Sequence, residues 1–215
     1  KVRLASVLTT NTTHFFRENH HFDMLKTITL PAMKKRADAG HRVRLWSAAC
    51  SRGQEPYSIA MMLVEEWPNI FDRDVQILAT DVDREALDKA KHGIFRSDEL
   101  GGVSAARRQR FFKTDHKNPK QVKIDPTLHA LISFGQLNLQ ADWPFQRQFD
   151  AIFCRNVAIY FDQTVQARLW KRLTDRLIPK GLLFIGHSER LNGPACQHTT
   201  SLGMTAFQKD TQNGH

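Results

Sequence analysis

Glu55 and Asp81 each stand shortly beyond an apolar run, and Arg155, Asn156 and Tyr160 stand together beyond another. In an open α/β sheet, ligands bind outside the carboxyl ends of the strands, so polar groups placed this way are candidates for binding. The first cluster is the loop 47–55 in "LWSAACSRGQEPYSIAMML", which has the layout of a nucleotide-binding turn yet holds one glycine, Gly53. A dinucleotide pyrophosphate would lack its close backbone approach there, whereas a nucleoside without phosphates needs no such cradle. The second is Asp81, directly after "VQILAT". A carboxylate at that point accepts hydrogen bonds from ribose hydroxyls; the competing reading, a helix cap, can be served by Asp83 instead. The third is Asn138 in "FGQLNL", whose amide suits an adenine edge or a plain turn. The fourth is "FDAIFCRNVAIYFD", either a ligand wall or a loop network that satisfies itself. Near the start, "TTNTTHFFRENHHF" adds Asn11, Thr13 and Arg17 around two phenylalanines, which alone reads as a capped amphipathic helix start.

These residues need a scaffold, and 215 residues suit one sizeable α/β domain. Buried parallel strands are expected at 43–46, 75–79, 151–153 and 182–185. Helical spacing covers 56–67 and 84–91, the latter capped by Asp83 and stopped by Gly93. A third helix is expected over 162–179, because Val165, Leu169, Leu173 and Leu177 recur every four residues before Pro179-Lys180-Gly181. The alternation argues for a doubly wound, Rossmann-like sheet with right-handed crossovers. Residues 204–208 are expected to pair antiparallel at its edge. The stretch 111–139 breaks the rhythm, and its short segments 121–124 and 131–134 read as a small antiparallel β insertion. The polar tail 209–215 is expected to fray. The sequence opens on Lys1, as expected of a trimmed chain.

Three widely separated cysteines without a CxxC pair speak against zinc and disulfides and for a reducing cytoplasm. The histidines lack ligand spacing, with His20 and His21 expected to point in different directions, so no metal is expected. No apolar run reaches the length of a membrane span, and no signal-peptide pattern opens the chain. The net charge of +9 favours an acidic partner, whether nucleic acid, an anionic membrane surface or a protein segment, or else marks a solvated face.

Five stretches, "TTNTTHFFRE", "WSAACSRGQEPYSIAM", "ATDVDREALDKAKHGIF", "FCRNVAIYFD" and "LIPKGLLFIGHSE", occur in the order found in one family. Through them the chain resembles the catalytic domain of the CheR-type chemotaxis receptor methyltransferases. The resemblance implies a class I S-adenosylmethionine methyltransferase sheet that esterifies receptor glutamates and yields S-adenosylhomocysteine. It divides the chain into a cofactor-covering segment, 1–19, and a catalytic domain, 20–208, with the β insertion at about 111–136. Carried over residue by residue, Asn11, Thr13 and Arg17 match contacts near the methionine end of the cofactor. Glu55 matches an acid at the methionyl amino group, Asp81 the ribose acid, and Asn138 with Leu139 the adenine contacts. Asn156 and Val157 match the wall by the sulfonium, and Arg17 and Tyr160 come closest to the incoming glutamate. The one-glycine loop then suits a phosphate-free nucleoside bearing an amino acid, whose ammonium Glu55 can pair.

Arg52 and Gln54 depart from the family pattern, and both are expected to change charge at the mouth of the site. The family's N-terminal helical domain, with the basic helix that reads acidic methylation segments, has no counterpart in these residues. The β insertion resembles a subdomain that in some members docks a receptor's C-terminal tether peptide; members that ignore the tether carry it too. Arg107, Arg108, Arg110, Lys34, Lys35 and Arg36 are candidates for steering an acidic substrate. The implied partners are chemoreceptor cytoplasmic domains, without nucleic acid and without membrane insertion. Two other readings keep the cofactor: a nucleic-acid methyltransferase, against which no Asn/Asp-Pro-Pro-Tyr loop is present, and a non-catalytic sensor of S-adenosylmethionine. The missing glycines disfavour a third, an NAD-dependent oxidoreductase.

Overall fold

The computed structural model describes residues 13–115, 118–203 and 205–211. Helix α1 (His20–Met24) runs through a π-helical turn, Leu25–Thr29, into α2 (Leu30–Asp38) and then β1 (Val43–Ala48). Next come α3 (Gln54–Glu66), β2 (Val75–Asp81), α4 (Arg84–His92) and β3 (Ile94–Arg96). Beyond them lie α5 (Ala105–Phe111), β4 (Phe112–Asp115), β5 (Asn118–Ile124), β6 (Ile132–Gln136) and β7 (Phe149–Cys154). The chain finishes with α6 (Gln163–Asp175), β8 (Leu177–Ile185), β9 (Thr199–Gly203) and β10 (Ala206–Lys209).

The main sheet has the order β6-β2-β1-β7-β8-β10-β9, parallel from β6 to β8 and antiparallel beyond. Sequence order reverses between β1 and β7, so the crevice beyond their carboxyl ends is the switch point where α/β sheets hold ligands. Two apolar layers cover the sheet. Leu45 faces the layer shared with Phe15, Tyr57 and Leu63, while the next residue, Trp46, faces the layer with Leu169, Trp170 and Leu173. That alternation is the period of two expected of a strand buried on both faces. The expected caps are in place: the Asp83 carboxylate accepts from Glu85 N and Ala86 N, and Gly93 closes α4 in a left-handed conformation.

Several expectations need correction. The helical repeat through Leu177 overruns the true helix, because α6 ends at Asp175 and Leu177 pairs with Phe149 as the first residue of β8. Pro179, Lys180 and Gly181 sit within β8 as an irregularity, with Lys180 at φ 63°, rather than as a helix stop. A four-residue apolar spacing cannot separate a last helical turn from a strand that starts in phase with it. The run at 131–134 does not belong to the insertion: β6 pairs parallel with β2 and forms an edge of the main sheet. The small sheet is instead β3-β5-β4, so it begins with Ile94 before α5. At the other edge β9 pairs outside β10, which leaves β10 interior. Finally, His20 and His21 converge: their Nε2 atoms lie 3.1 and 2.8 Å from Thr205 Oγ1. Their backbones diverge on the first helical turn, yet two imidazole arms are long enough to reach one hydroxyl.

Candidate functional site

A cavity of about 280 Å³ opens at the ends of β1, β2 and β7. Thr13, Arg17, Glu55, Asp81, Asn138, Leu139, Asn156, Val157 and Tyr160 all line it, so the structure brings together residues spread over most of the sequence. Asn11 lies outside the described residues.

The loop after β1 explains how one glycine suffices. Ala49, Ser51 and Gly53 have φ of 64°, 49° and 94°, so the loop winds through alternate left-handed positions. Three of its amides are spent on the protein: Cys50 N donates to Thr80 O, Ser51 N to Asp81 Oδ2 and Gly53 N to Cys50 O. Gly53 is needed for packing, since a Cβ there would stand 3.0 Å from Ala90 Cβ and 3.2 Å from Tyr57 Cε2. A phosphate would find these amides already engaged, and it would meet the Glu55 carboxylate in the first turn of α3. Helix N-termini that bind anions present free N–H groups and positive charge; this one presents an acid. Burial pushes Glu55 above the ordinary carboxylate value, against the opposing pull of Arg155 and the Ser47 hydroxyl.

Asp81 anchors the opposite side. Its Oδ2 accepts from Ser51 N at 2.7 Å and its Oδ1 from Asp83 N at 2.9 Å, which fixes the carboxylate at the cavity wall. Burial raises its pKa despite these bonds. Asn138 Oδ1 closes a local turn by accepting from Gln140 N, and Arg172 holds the same segment by donating to Leu139 O and Ala141 O. Cys50 also lines the cavity, but burial, followed by the charges of Asp81 and Glu55, drives its thiol far above the ordinary range. It is no nucleophile at neutral pH.

The third wall rests on charges that the motif matches leave without a role. Arg155, whose side chain is 3% exposed, reaches Glu55 at 3.2 Å and Glu18 at 3.4 Å, and donates to Arg17 O. Burial alone would lift Glu18, but Arg155 and the hydrogen bonds from His187 outweigh it and hold that carboxylate below its usual value. His21, beside the same group, is pushed down to about 3, chiefly by burial and then by Arg155. Glu189 sits behind the cavity and accepts from the backbone N–H groups of Asn156, Val157 and Ala158. The signal that marked Asp81, an acid just past a strand end, was also present for Glu189 after β8. Glu18 directly follows Arg17, but no local feature marks it as the partner of a residue more than a hundred positions away.

Other expectations change with the geometry. Gln54 is 0% exposed rather than at the mouth. Arg52 pairs with Glu99 at 2.9 Å. Among the steering candidates, Arg107 is bidentate to Glu65, Arg108 donates to Val103 O and Leu100 O, Lys34 donates to Glu66 O, and Arg36 pairs with Asp150. Those four tie elements of this chain together. Among the described residues no group of three or more His, Cys, Asp and Glu could hold a metal ion, and no helix is long and apolar enough to cross a membrane.

The donor set fits an adenosyl amino acid: two fixed acids, no phosphate cradle, and an apolar wall of Val82, Leu137 and Leu139. Comparison with known proteins agrees. The family described as CheR methyltransferase, SAM binding domain, matches residues 11–207. The probable chemotaxis protein methyltransferase of Rhizobium etli is 45% identical over 210 residues, covering 97% of this chain and 78% of that one. Chemotaxis protein methyltransferase 2 of Pseudomonas aeruginosa is 42% identical over 206 residues, covering 94% and 71%. The chemotaxis protein methyltransferase of Escherichia coli is 43% identical over 187 residues, covering 86% of this chain and 63% of the relative.

Proposed function

This chain belongs to the CheR methyltransferase family, and from that premise we propose that it methylates glutamate side chains of bacterial chemoreceptors, forming methyl esters in sensory adaptation. It is an S-adenosylmethionine-dependent methyltransferase. The observation that carries the reading is that Glu55 and Asp81 both line a cavity whose loop has Cys50, Ser51 and Gly53 amides already engaged. Glu55 takes the methionyl ammonium and Asp81 the ribose hydroxyls, while Asn138 and Leu139 flank the adenine. Thr13 completes the methionine end, and Asn156 and Val157 wall the sulfonium.

When bound, S-adenosylmethionine supplies an electrophilic methyl group on a sulfonium. A substrate glutamate, with an ordinary pKa of about 4.3, is ionised at neutral pH, so no general base is required. The protein's contribution is alignment and exclusion of water, and proximity alone can lower such a barrier by up to about 7–11 kcal/mol. Arg17 orients the substrate carboxylate. Tyr160, 46% exposed at the mouth, donates a hydrogen bond or lines the approach.

The reading places the chain in the cytoplasm, where receptor methylation segments lie and where its cysteines stay free thiols. A receptor tether peptide at the β3-β5-β4 sheet is a further docking element in this reading. Incubation with methyl-labelled S-adenosylmethionine and receptor cytoplasmic fragments tests it. Glutamyl methyl esters release labelled methanol in mild alkali; label that survives alkali, or that enters nucleic acid instead, rules the reading out.

A further inference from the structure

At the end of β8 the chain turns back and brings Glu189 against the turn that follows β7. Its Oε1 accepts from Val157 N at 3.0 Å and Ala158 N at 2.7 Å, and its Oε2 from Asn156 N at 2.9 Å and Gly186 N at 2.5 Å. The residue is 3% exposed. The four donors that hold it are all backbone N–H groups. A carboxyl group offers acceptors on both oxygens; a glutamine would turn an NH₂ group toward one pair of N–H donors.

Gly186 closes the other side of the turn. A Cβ on it would run into the Asn156 amide nitrogen and stand 2.9 Å from both Asn156 Cγ and Asn156 N. Asn156 is held at φ 60°, in the left-handed region. The three residues whose amides Glu189 holds lead straight into the 3₁₀ turn Ala158–Tyr160. Asn156, Val157 and Tyr160 line the cavity, whereas Glu189 and Gly186 do not.

We propose that Glu189, with Gly186, is a positioning clamp: it fixes the backbone of residues 156–158 so that Asn156, Val157 and Tyr160 face the bound cofactor. The inference rests on reading the cavity as the cofactor site. A purely structural carboxylate would change stability and leave binding and turnover of the folded protein untouched. The clamp predicts otherwise.

The test measures thermal unfolding, S-adenosylhomocysteine affinity by calorimetry, and kcat against KM for Glu189→Gln, Gly186→Ala, Asn156→Ala and the Glu189→Gln/Asn156→Ala double variant. All are assayed well below their melting temperatures. Glu189→Gln is expected to weaken affinity about tenfold and to lower kcat by about 10–100-fold. Gly186→Ala, which keeps the charge but crowds Asn156, is expected to move both readouts the same way. The double variant is expected to lose little more than its worse parent. Folded Glu189→Gln or Gly186→Ala protein with wild-type affinity and kcat overturns the clamp, as do losses that multiply fully in the double variant. Should Glu189→Gln fail to fold, Gly186→Ala decides alone. The affinity arm needs only the cofactor product, so wild-type protein that binds it yet methylates no receptor fragment sinks the glutamate reading while the clamp is still judged on affinity.

Discussion

The two ends of the cavity are built by different means. Around Asp81 and Asn138, side chains are held by single backbone N–H groups, from Asp83 and Gln140 close in sequence and from Ser51 in the loop after β1. Around Glu55, a chain of charges joins distant parts of the fold: Glu55 to the buried Arg155, Arg155 to Glu18, and Glu18 by hydrogen bond to the exposed His187. The backbone at this second end is also costly, with Phe16, Glu18 and Asn156 at φ of 53°, 55° and 60°. Such conformations persist only where the surroundings over-determine them. One end therefore loses contacts one at a time, while the other stands or falls as a unit.

The sharpest way to break this contrast is Arg155→Met. It removes the guanidinium between Glu18 and Glu55, leaving Glu18 to His187 and Glu55 to the Ser47 hydroxyl, and removing one partner of a buried ion pair costs about 3–5 kcal/mol. Urea unfolding should show that loss; a change below about 1 kcal/mol would mean the charges are not coupled. Arg17→Ala should follow, lowering kcat by about 100-fold through a misplaced substrate, with product affinity changed far less. At the other end, Asp81→Ala should weaken S-adenosylhomocysteine by about 10–100-fold, the worth of hydrogen bonds to a charged group, with a smaller loss of stability than Arg155→Met. Unchanged affinity in calorimetric titration would remove Asp81 from the site.

The smallest effect is one of pH. Burial holds Glu55 above its ordinary 4.5, so its protonation stabilises the empty fold at low pH, and that stabilisation is lost as pH rises through the raised value. Glu18 is shifted down and works oppositely, stabilising above 4.5 and losing that as pH falls. Melting curves thus mix two signs. Affinity does not, because a cofactor ammonium requires ionised Glu55. Product affinity should drop a few-fold as pH falls, beginning above pH 4.5, and Glu55→Gln should lower the plateau and leave only the shallower dependence contributed by Asp81, whose carboxyl burial also shifts up.

Legibility follows the same division. Asp81, with Asp83 as the alternative cap, was readable because strand end, acid and helix start are contiguous, and the fold class was readable from alternating apolar runs. The role of Arg155 was not, since its partners Glu18 and Glu55 are set by chain crossings that no local pattern encodes. Leu177 and residues 131–134 misled for a related reason: periodicity over one or two turns does not say which sheet, or which element, a short apolar run will join. Composition offers the basic residues as a surface for acidic partners or as a solvated face, yet Arg107 and Arg36 bind acids of this chain. Formal charge counts them without seeing those pairings.

A crystal structure of the protein with S-adenosylhomocysteine bound tests the account most directly. The account predicts the ligand in the cavity between β1, β2 and β7, its ribose hydroxyls hydrogen-bonded to Asp81, its ammonium at Glu55, and its sulfur beside Asn156 and Val157. A ligand bound elsewhere, or lying in the cavity with its amino acid at Asp81 and its nucleoside at Glu55, would contradict it.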